Sequence, residues 1–464
     1  MTQNIRVESL IQQGYDQLEQ GQYQAAIVSF DKAIELKADD HKAWYSRGIA
    51  LDNLGRFEEA IASCDNALDI KPDYHYPWYC RGNALRELER YEEALASYDQ
   101  ALKIKPDFPE AWTNRGFALA DLQRYEEAIS SCDQALKIQI DFPEAWIAWN
   151  KRGIALAQLQ RYEEALASYD KALEIRPDFQ EAWCNRGQAL WLLERLEEAI
   201  AIASWDKALA LNPDCYQAWY NRGIALNNLG LYEEAVASYD QALQLRRDLS
   251  AVWCLRGNAL SELQQYKEAI ISYDQALEFE SDFYLFWLRR GSALFELHQY
   301  EEALNSYEKA LKIKPDYQEA WFNRGLALND LGCYEEAIVS YDKALATLPN
   351  DEIIDAYKIW YNRGKALDKL NRYEEAIASY DQAIKIKPDF PEAWTNRGSI
   401  LNELQRHEEA ISSYDQALTI NLNFSEPKFE ARWGHQTRKR SVFFHTSSWA
   451  TSLYELRRYA HATH

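Results

Sequence analysis

The chain has 464 residues and a net charge of −22, which argues against non-specific DNA or RNA binding because no cationic surface neutralises phosphates. Its 47% hydrophobic and 13% aromatic content excludes disorder, and no eighteen-residue apolar run supplies a membrane span. The opening MTQNIRVESL lacks the apolar core of a secretory signal, and none of the seven cysteines form C-x-x-C; both features point to reduced thiols in a cytoplasmic protein.

A glycine, preceded by Arg everywhere except after Gln13, sets the register along the chain. It stands at Gly14, Gly48, Gly82, Gly116, Gly153, Gly187, Gly223, Gly257, Gly291, Gly325, Gly364 and Gly398. The intervals are 34 residues, interrupted by 37, 36 and 39. This is a repeat of twelve copies. With the glycine numbered 8, Trp at 4, Gly at 8 and Leu at 11 share one helical stripe. Tyr at 17, Ala at 20, Tyr or Cys at 24 and Ala at 27 share a second, so each copy predicts two amphipathic helices. Gly at position 15 in Gly21, Gly55, Gly230 and Gly332 suits the left-handed turn between them. Pro72, Pro106, Pro177, Pro213, Pro315, Pro349 and Pro388 stop the second helix.

The phrase RYEEA, as at 90–94, opens that second helix. Its Tyr is expected in the core, and its two Glu complement the positive helix end. Lys103 and Lys105 complement the negative end, so much of the charge is helix-end chemistry on a solvated face. Small residues at 8, 20 and 27 let paired helices approach, with Trp, Tyr and Tyr at 4, 17 and 24 filling the gaps. Full burial of one such Trp ring is expected to contribute about 2–3 kcal/mol. Arg at position 7 recurs in eleven copies and Asp or Glu at 25 in twelve, which suggests an Arg–Asp ladder along the stack.

The frame W-x-x-x-G-x-x-L, then Y-x-x-A-x-x-Y-x-x-A, then P resembles the tetratricopeptide repeat family over about residues 7–424. The resemblance implies an all-α α-solenoid, a right-handed superhelix of about twelve antiparallel helix pairs. First helices would line its concave surface. The array fills 1–424, with copies at about 7–40, 41–74, 75–108, 109–145, 146–179, 180–215, 216–249, 250–283, 284–317, 318–356, 357–390 and 391–424. Residues 425–464 form a basic tail with a capping helix expected at about 448–462.

Three insertions interrupt the frame. The three residues before Gly153 are expected to start the first helix earlier, and the five before Gly364 to lengthen a loop or add a turn. In copy six the second helix reads EEAIAIASWDKAL, and its two extra residues would rotate the stripe by about 200°. A bulge, kink or slipped turn is expected there.

No phosphate-cradling glycine loop, HExxH or nucleophile elbow occurs, so no catalytic residue, metal site or cofactor is assigned and the chain is read as a non-enzyme. The expected site is the groove lined by first-helix positions 2, 5, 6, 9, 12 and 13. Position 6 is Asn at Asn114, Asn185, Asn221, Asn323, Asn362 and Asn396, and an amide both donates and accepts. The resemblance implies that such asparagines grip an extended peptide backbone. Tyr45, Tyr79, Tyr220, Phe322 and Tyr361 add apolar contacts. Position 2 is Glu at Glu110, Glu181, Glu319 and Glu392, which would repel the acidic carboxylate tails that some family members clamp. The sequence therefore reads as a scaffold for a neutral or basic protein segment, without nucleic-acid or membrane partners. The alternatives are a structural or self-assembling array, or a regulatory partner of an effector on another chain.

Overall fold

The computed structural model describes residues 2–139, 142–193, 198–348 and 356–425. The basic tail and its expected capping helix lie outside the described residues. Among those residues there are twenty-four helices and no strand. They fall into two compact units, Met1–Ala225 and Leu226–His464.

In the first unit the pairs are α1 (Thr2–Glu19) with α2 (Tyr23–Leu36), α3 (His41–Asn53) with α4 (Phe57–Ile70), and α5 (His75–Glu87) with α6 (Tyr91–Ile104). They continue as α7 (Pro109–Asp121) with α8 (Tyr125–Ile138), α9 (Ala145–Gln158) with α10 (Tyr162–Ile175), and α11 (Gln180–Leu192) with α12 (Glu198–Leu211); α13 (Tyr216–Asn228) follows. The second unit begins with α14 (Tyr232–Leu245). Its pairs are α15 (Ser250–Glu262) with α16 (Tyr266–Phe279), α17 (Tyr284–Glu296) with α18 (Tyr300–Ile313), and α19 (Gln318–Asp330) with α20 (Tyr334–Ala346). The last are α21 (Ala356–Lys369) with α22 (Tyr373–Ile386), and α23 (Pro391–Glu403) with α24 (His407–Ser425).

Within each unit second helices pack on the first helix of the next pair, as α4 does on α5 and α16 on α17, so both units are α-solenoids of paired helices. Adjacent first helices also touch, as α3 does α5 and α15 does α17, without comparable contact between adjacent second helices. The first helices are therefore the crowded, inner row of each stack.

Glycine at position 8 explains how closely a pair packs. A Cβ on Gly82 would lie 2.5 Å from Cε1 of Tyr98, the position-24 ring of its own pair. Ala94, Tyr98 and Ala101 are fully buried beneath it. The position-17 Tyr is only half-buried, at the first residue of the second helix. The expected full burial of the Trp rings is corrected as well. These rings are half-buried, and in most copies the indole N–H reaches the chain entering its helix: Trp78 donates to the Pro72 carbonyl at 3.1 Å, and Trp112 to that of Pro106 at 2.9 Å.

The Arg–Asp ladder is present and has a third member. Arg81 Nε donates to Asp65 of the preceding pair at 2.8 Å, and Nη1 donates to Ser97 Oγ of its own pair at 2.7 Å. Ser97 then donates to the Glu93 carbonyl, and the guanidinium lies over Trp78. The same Arg–Asp–Ser linkage forms at Arg47, Arg115, Arg152, Arg186, Arg256, Arg290, Arg363 and Arg397, and at Arg324 with Glu308 in place of Asp. RYEEA also gains a reason that charge at the helix end does not supply. Arg90 grips the second Glu, Glu93, with Nε and Nη2 at 2.7 and 2.6 Å, an i,i+3 fork closing the first turn.

α9 begins at Ala145, one residue earlier relative to its glycine than the other first helices, in line with the expected earlier start; the five residues added before Gly364 fall in a segment outside the described residues. In copy six the expected slipped turn is the outcome: over the described residues α12 runs as unbroken helix from Glu198 to Leu211. Ala201, Trp205 and Ala208 take the buried places that Ala94, Tyr98 and Ala101 hold in α6. Ala201 is therefore the small residue against the partner helix. The broader Trp205 ring stands where other pairs have Tyr, against Gly187.

Candidate functional site

The inner row is built from positions 5, 6, 9 and 12 of neighbouring first helices, which meet one another. On α5 these are Tyr79, Asn83 and Arg86, and on α7 they are Asn114 and Phe117. Asn114 Nδ2 donates to Tyr79 Oη at 2.9 Å and to Asn83 Oδ1 at 2.8 Å. Arg86 lies 5.6 Å from the Phe117 ring centre, and Lys151 of α9 approaches the same ring at 5.2 Å. Asn185 Nδ2 reaches Asn150 Oδ1 at 3.2 Å, and Asn396 Nδ2 reaches Tyr361 Oη at 3.2 Å. Three of the six asparagines thus tie position 6 of one copy to position 5 of the copy before.

This alters what the amides offer. Both N–H groups of Asn114 have protein partners, so toward a ligand it presents its carbonyl as an acceptor. Asn362 Nδ2 donates to the Lys358 carbonyl of its own helix at 2.8 Å. Asn323 is buried, and Asn221 is half-buried.

The aromatic candidates are half-buried and held by rings that the sequence reading passed over. The first helix is preceded by an aromatic residue at Tyr74, Phe108, Phe283, Tyr317 and Phe390. Tyr45 meets Tyr74 with ring centres 5.5 Å apart, Tyr79 meets Phe108 at 5.0 Å, and Tyr361 meets Phe390 at 4.9 Å. Phe322 packs beside Tyr341 at 6.1 Å, and Tyr220 is half-buried on α13. The recurrent Pro-Asp-Tyr/Phe triplet, as at 72–74 and 106–108, was the available signal. The Lys two residues before its Asp joins the cluster. Lys105 stands 5.2 Å from the Phe108 ring centre, and Lys314 stands 4.6 Å from that of Tyr284.

Two of the position-2 glutamates are balanced by cations at position 6 of the preceding copy. Glu319 and Arg289 approach at 3.4 Å with side chains only 11% and 12% exposed, and Glu181 lies 3.7 Å from Lys151. The other carboxylates keep the row acidic. Desolvation pushes Asp52 up to about 6, reinforced by Glu87, and its Oδ1 is buried without a hydrogen-bond partner. Partial burial also raises Asp121, Glu262, Glu296 and Asp368. Among the described residues no cluster of His, Cys, Asp and Glu is arranged to hold a metal ion, and no helix is long and apolar enough to cross a membrane.

Stacked helix pairs with a polar and aromatic inner row define a helical-repeat protein. Models described as TPR repeat match residues 82–123, 153–194, 291–332 and 364–404. Models described as tetratricopeptide repeat match 11–75, 109–142, 180–215, 199–251, 250–283, 319–351 and 391–424. The chain belongs to the tetratricopeptide repeat family, whose fold serves as a protein-interaction scaffold. No curated protein matches it.

Among solved structures, the APC/C hetero-tetramer Cut9–Hcn1 aligns at 15% identity over 90% of this chain and 94% of that one, with a TM-score of 0.43. YrrB, a TPR protein with an unusual peptide-binding site, aligns at 25% identity over 41% of this chain and 95% of that one, with a TM-score of 0.35. Yeast Tom70 aligns at 18% identity, covering 90% and 92%, with a TM-score of 0.34.

Proposed function

We propose that this protein is a non-enzymatic scaffold that holds an extended, neutral or basic partner segment along the inner row of first helices. The observation that carries the reading is the set of desolvated carboxylates there, with Asp52 held up to about 6 beside Glu87. A cationic group brought to them restores a counter-charge that burial has removed, whereas an acidic segment meets further repulsion. The Asn114 carbonyl supports the same reading, since it suits a backbone N–H of any sequence. Tyr45, Tyr79, Tyr220, Phe322 and Tyr361 supply apolar contact, and Asn185, Asn221, Asn323, Asn362 and Asn396 complete the proposed lining. A cytoplasmic location belongs to the same proposal.

The test is a peptide array with graded charge, probed with the wild-type chain and with an Asn114→Ala/Asn185→Ala/Asn396→Ala variant whose helicity and melting are measured in parallel. Neutral and basic peptides are expected to be retained by the wild type and lost by the folded variant. Equal retention by both overturns the role of the asparagines, and preferential retention of acidic peptides overturns the charge assignment.

A further inference from the structure

The first unit contains a thiol pair outside every role described above. Cys184 lies on α11 at the place where α5 carries Tyr79, and Cys215 immediately precedes α13 at the place where α5 is preceded by Tyr74. The aromatic contact between copies is thus replaced by two sulfurs. Their Sγ atoms are 3.9 Å apart, and both side chains are only partly buried. We propose that Cys184 and Cys215 form a peroxide-sensitive dithiol that closes to a disulfide linking α11 to the start of α13.

The two sulfurs are not equivalent. Cys215 shares a hydrogen bond with Cys184 in which either thiol can donate, and the backbone N–H groups of Ala218 and Gln217 point at Cys215 as well. Together these lower the Cys215 thiol to about 6, although partial burial opposes them. Cys184 is raised by the same hydrogen bond and by burial, with Glu181 adding to the shift, so it keeps its proton. Two amides contact the pair: Gln180 Nε2 lies 3.9 Å from Cys184 Sγ, and Gln217 Oε1 accepts from Cys215 Sγ at 3.6 Å. Cys215 is therefore the nucleophile and Cys184 the resolving thiol.

The chemistry balances with hydrogen peroxide as oxidant. The Cys215 thiolate attacks one peroxide oxygen, the O–O bond breaks, and hydroxide leaves to become water, giving a sulfenic acid. Cys184 then loses its proton and attacks the Cys215 sulfur. The S–O bond breaks, the second water leaves, and an S–S bond forms. Two electrons pass from the dithiol to peroxide. Closure to a bond of about 2.05 Å requires the sulfurs to approach by about 2 Å, within reach of side-chain rotation at the partly exposed ends of two helices. Cys64 and Cys80, by contrast, are both buried and shielded from peroxide.

The experiment treats the reduced full-length chain with equimolar hydrogen peroxide and maps it by mass spectrometry. The expected result is a mass loss of about 2 Da, a cross-linked peptide joining Cys184 to Cys215, and reversal by dithiothreitol. Free thiols fall from seven to five, the two lost being this pair. Cys184→Ser should abolish the cross-link and leave a Cys215 sulfenic acid that dimedone traps, while Cys215→Ser should abolish both. The proposal is overturned if wild type forms no Cys184–Cys215 peptide, if another pair forms in its place, or if either serine variant yields an unchanged mass loss.

Discussion

Arg115 Nε sits 2.7 Å from Asp99 Oδ1, a residue of the preceding helix pair, while its Nη1 holds Ser131 Oγ of its own pair at 2.7 Å. The guanidinium also lies 5.6 Å from the Trp112 ring centre. The carboxylate is about half exposed, so the ion pair alone is worth under about 1 kcal/mol. The Ser131 hydrogen bond adds about 1 kcal/mol, and the ring contact about 0.5–1 kcal/mol. Arg115→Ala is expected to lower stability by about 1–2 kcal/mol, read as a lower urea midpoint. Arg115→Lys should restore less than half of the loss, because an ammonium cannot span Asp99, Ser131 and Trp112 together. Full rescue by Lys would show that charge alone matters.

Gly82 packs directly against the Tyr98 ring. An added Cβ would stand 2.5 Å from Tyr98 Cε1 and 3.0 Å from Cζ, in a ring fixed on all sides. Alanine raises helix propensity by about 1 kcal/mol, but overpacking costs about 1–3 kcal/mol. Gly82→Ala should therefore be net destabilising. Gly48→Ala offers an internal comparison, since its Cβ would meet Cys64 Sγ at 3.0 Å rather than a ring. It should be milder by about 1 kcal/mol in thermal melts. Equal effects would indicate that backbone approach, rather than the position-24 side chain, sets the limit.

These two contacts mark what the sequence made legible. Gly at 8, Ala at 20 and 27, and the Arg and Asp at 7 and 25 were readable because they recur at helical spacing. Ser at 23 recurs just as regularly, yet its meaning depends on a donor sixteen residues away in sequence, across the helix pair. Trp at 4 was misread as a core residue because periodicity places it on the apolar stripe and cannot show its N–H reaching the Pro72 carbonyl. In copy six the letters RLEEA fit the phrase at 195–199, while the buried small residue and ring of α12 are Ala201 and Trp205. Helical spacing puts the asparagines on the first helices, but the bonds of Asn114 to Tyr79 and of Asn396 to Tyr361 lie between copies, where a one-dimensional register has no information.

The turn between paired helices makes a separate demand. Position 15 has φ of +71 at Gly21 and Gly55, and the same place holds Gln123 at +60, Gln160 at +61 and Gln264 at +60. A side chain in this region costs about 1 kcal/mol that glycine avoids. Gln123→Gly is expected to stabilise the protein by about 0.5–1 kcal/mol, less the extra freedom glycine gains when unfolded. Gly55→Gln should destabilise it by about 1 kcal/mol. Both are read from denaturant midpoints at unchanged slope, and a loss of stability in Gln123→Gly would show that the glutamine side chain itself holds the turn.

Asp52 gives a pH-dependent prediction whose sign differs from that of a salt-bridged carboxylate. Burial and Glu87 raise its native pKa to about 6 from an ordinary 3.8, so the folded state binds the proton more tightly than the unfolded chain. The stabilising contribution is complete below pH 3.8 and is lost as pH rises through about 6. At neutral pH the native chain carries a poorly solvated charge, whose cost is about 1 kcal/mol once screening by the nearby solvent is allowed for. Asp52→Asn removes that charge while keeping the shape. It should raise the melting temperature at pH 7 and converge with wild type near pH 4. A variant that is less stable than wild type at pH 7 would mean that the ionised carboxylate has a favourable partner in the fold, and the acidic inner row would lose its best-defined member.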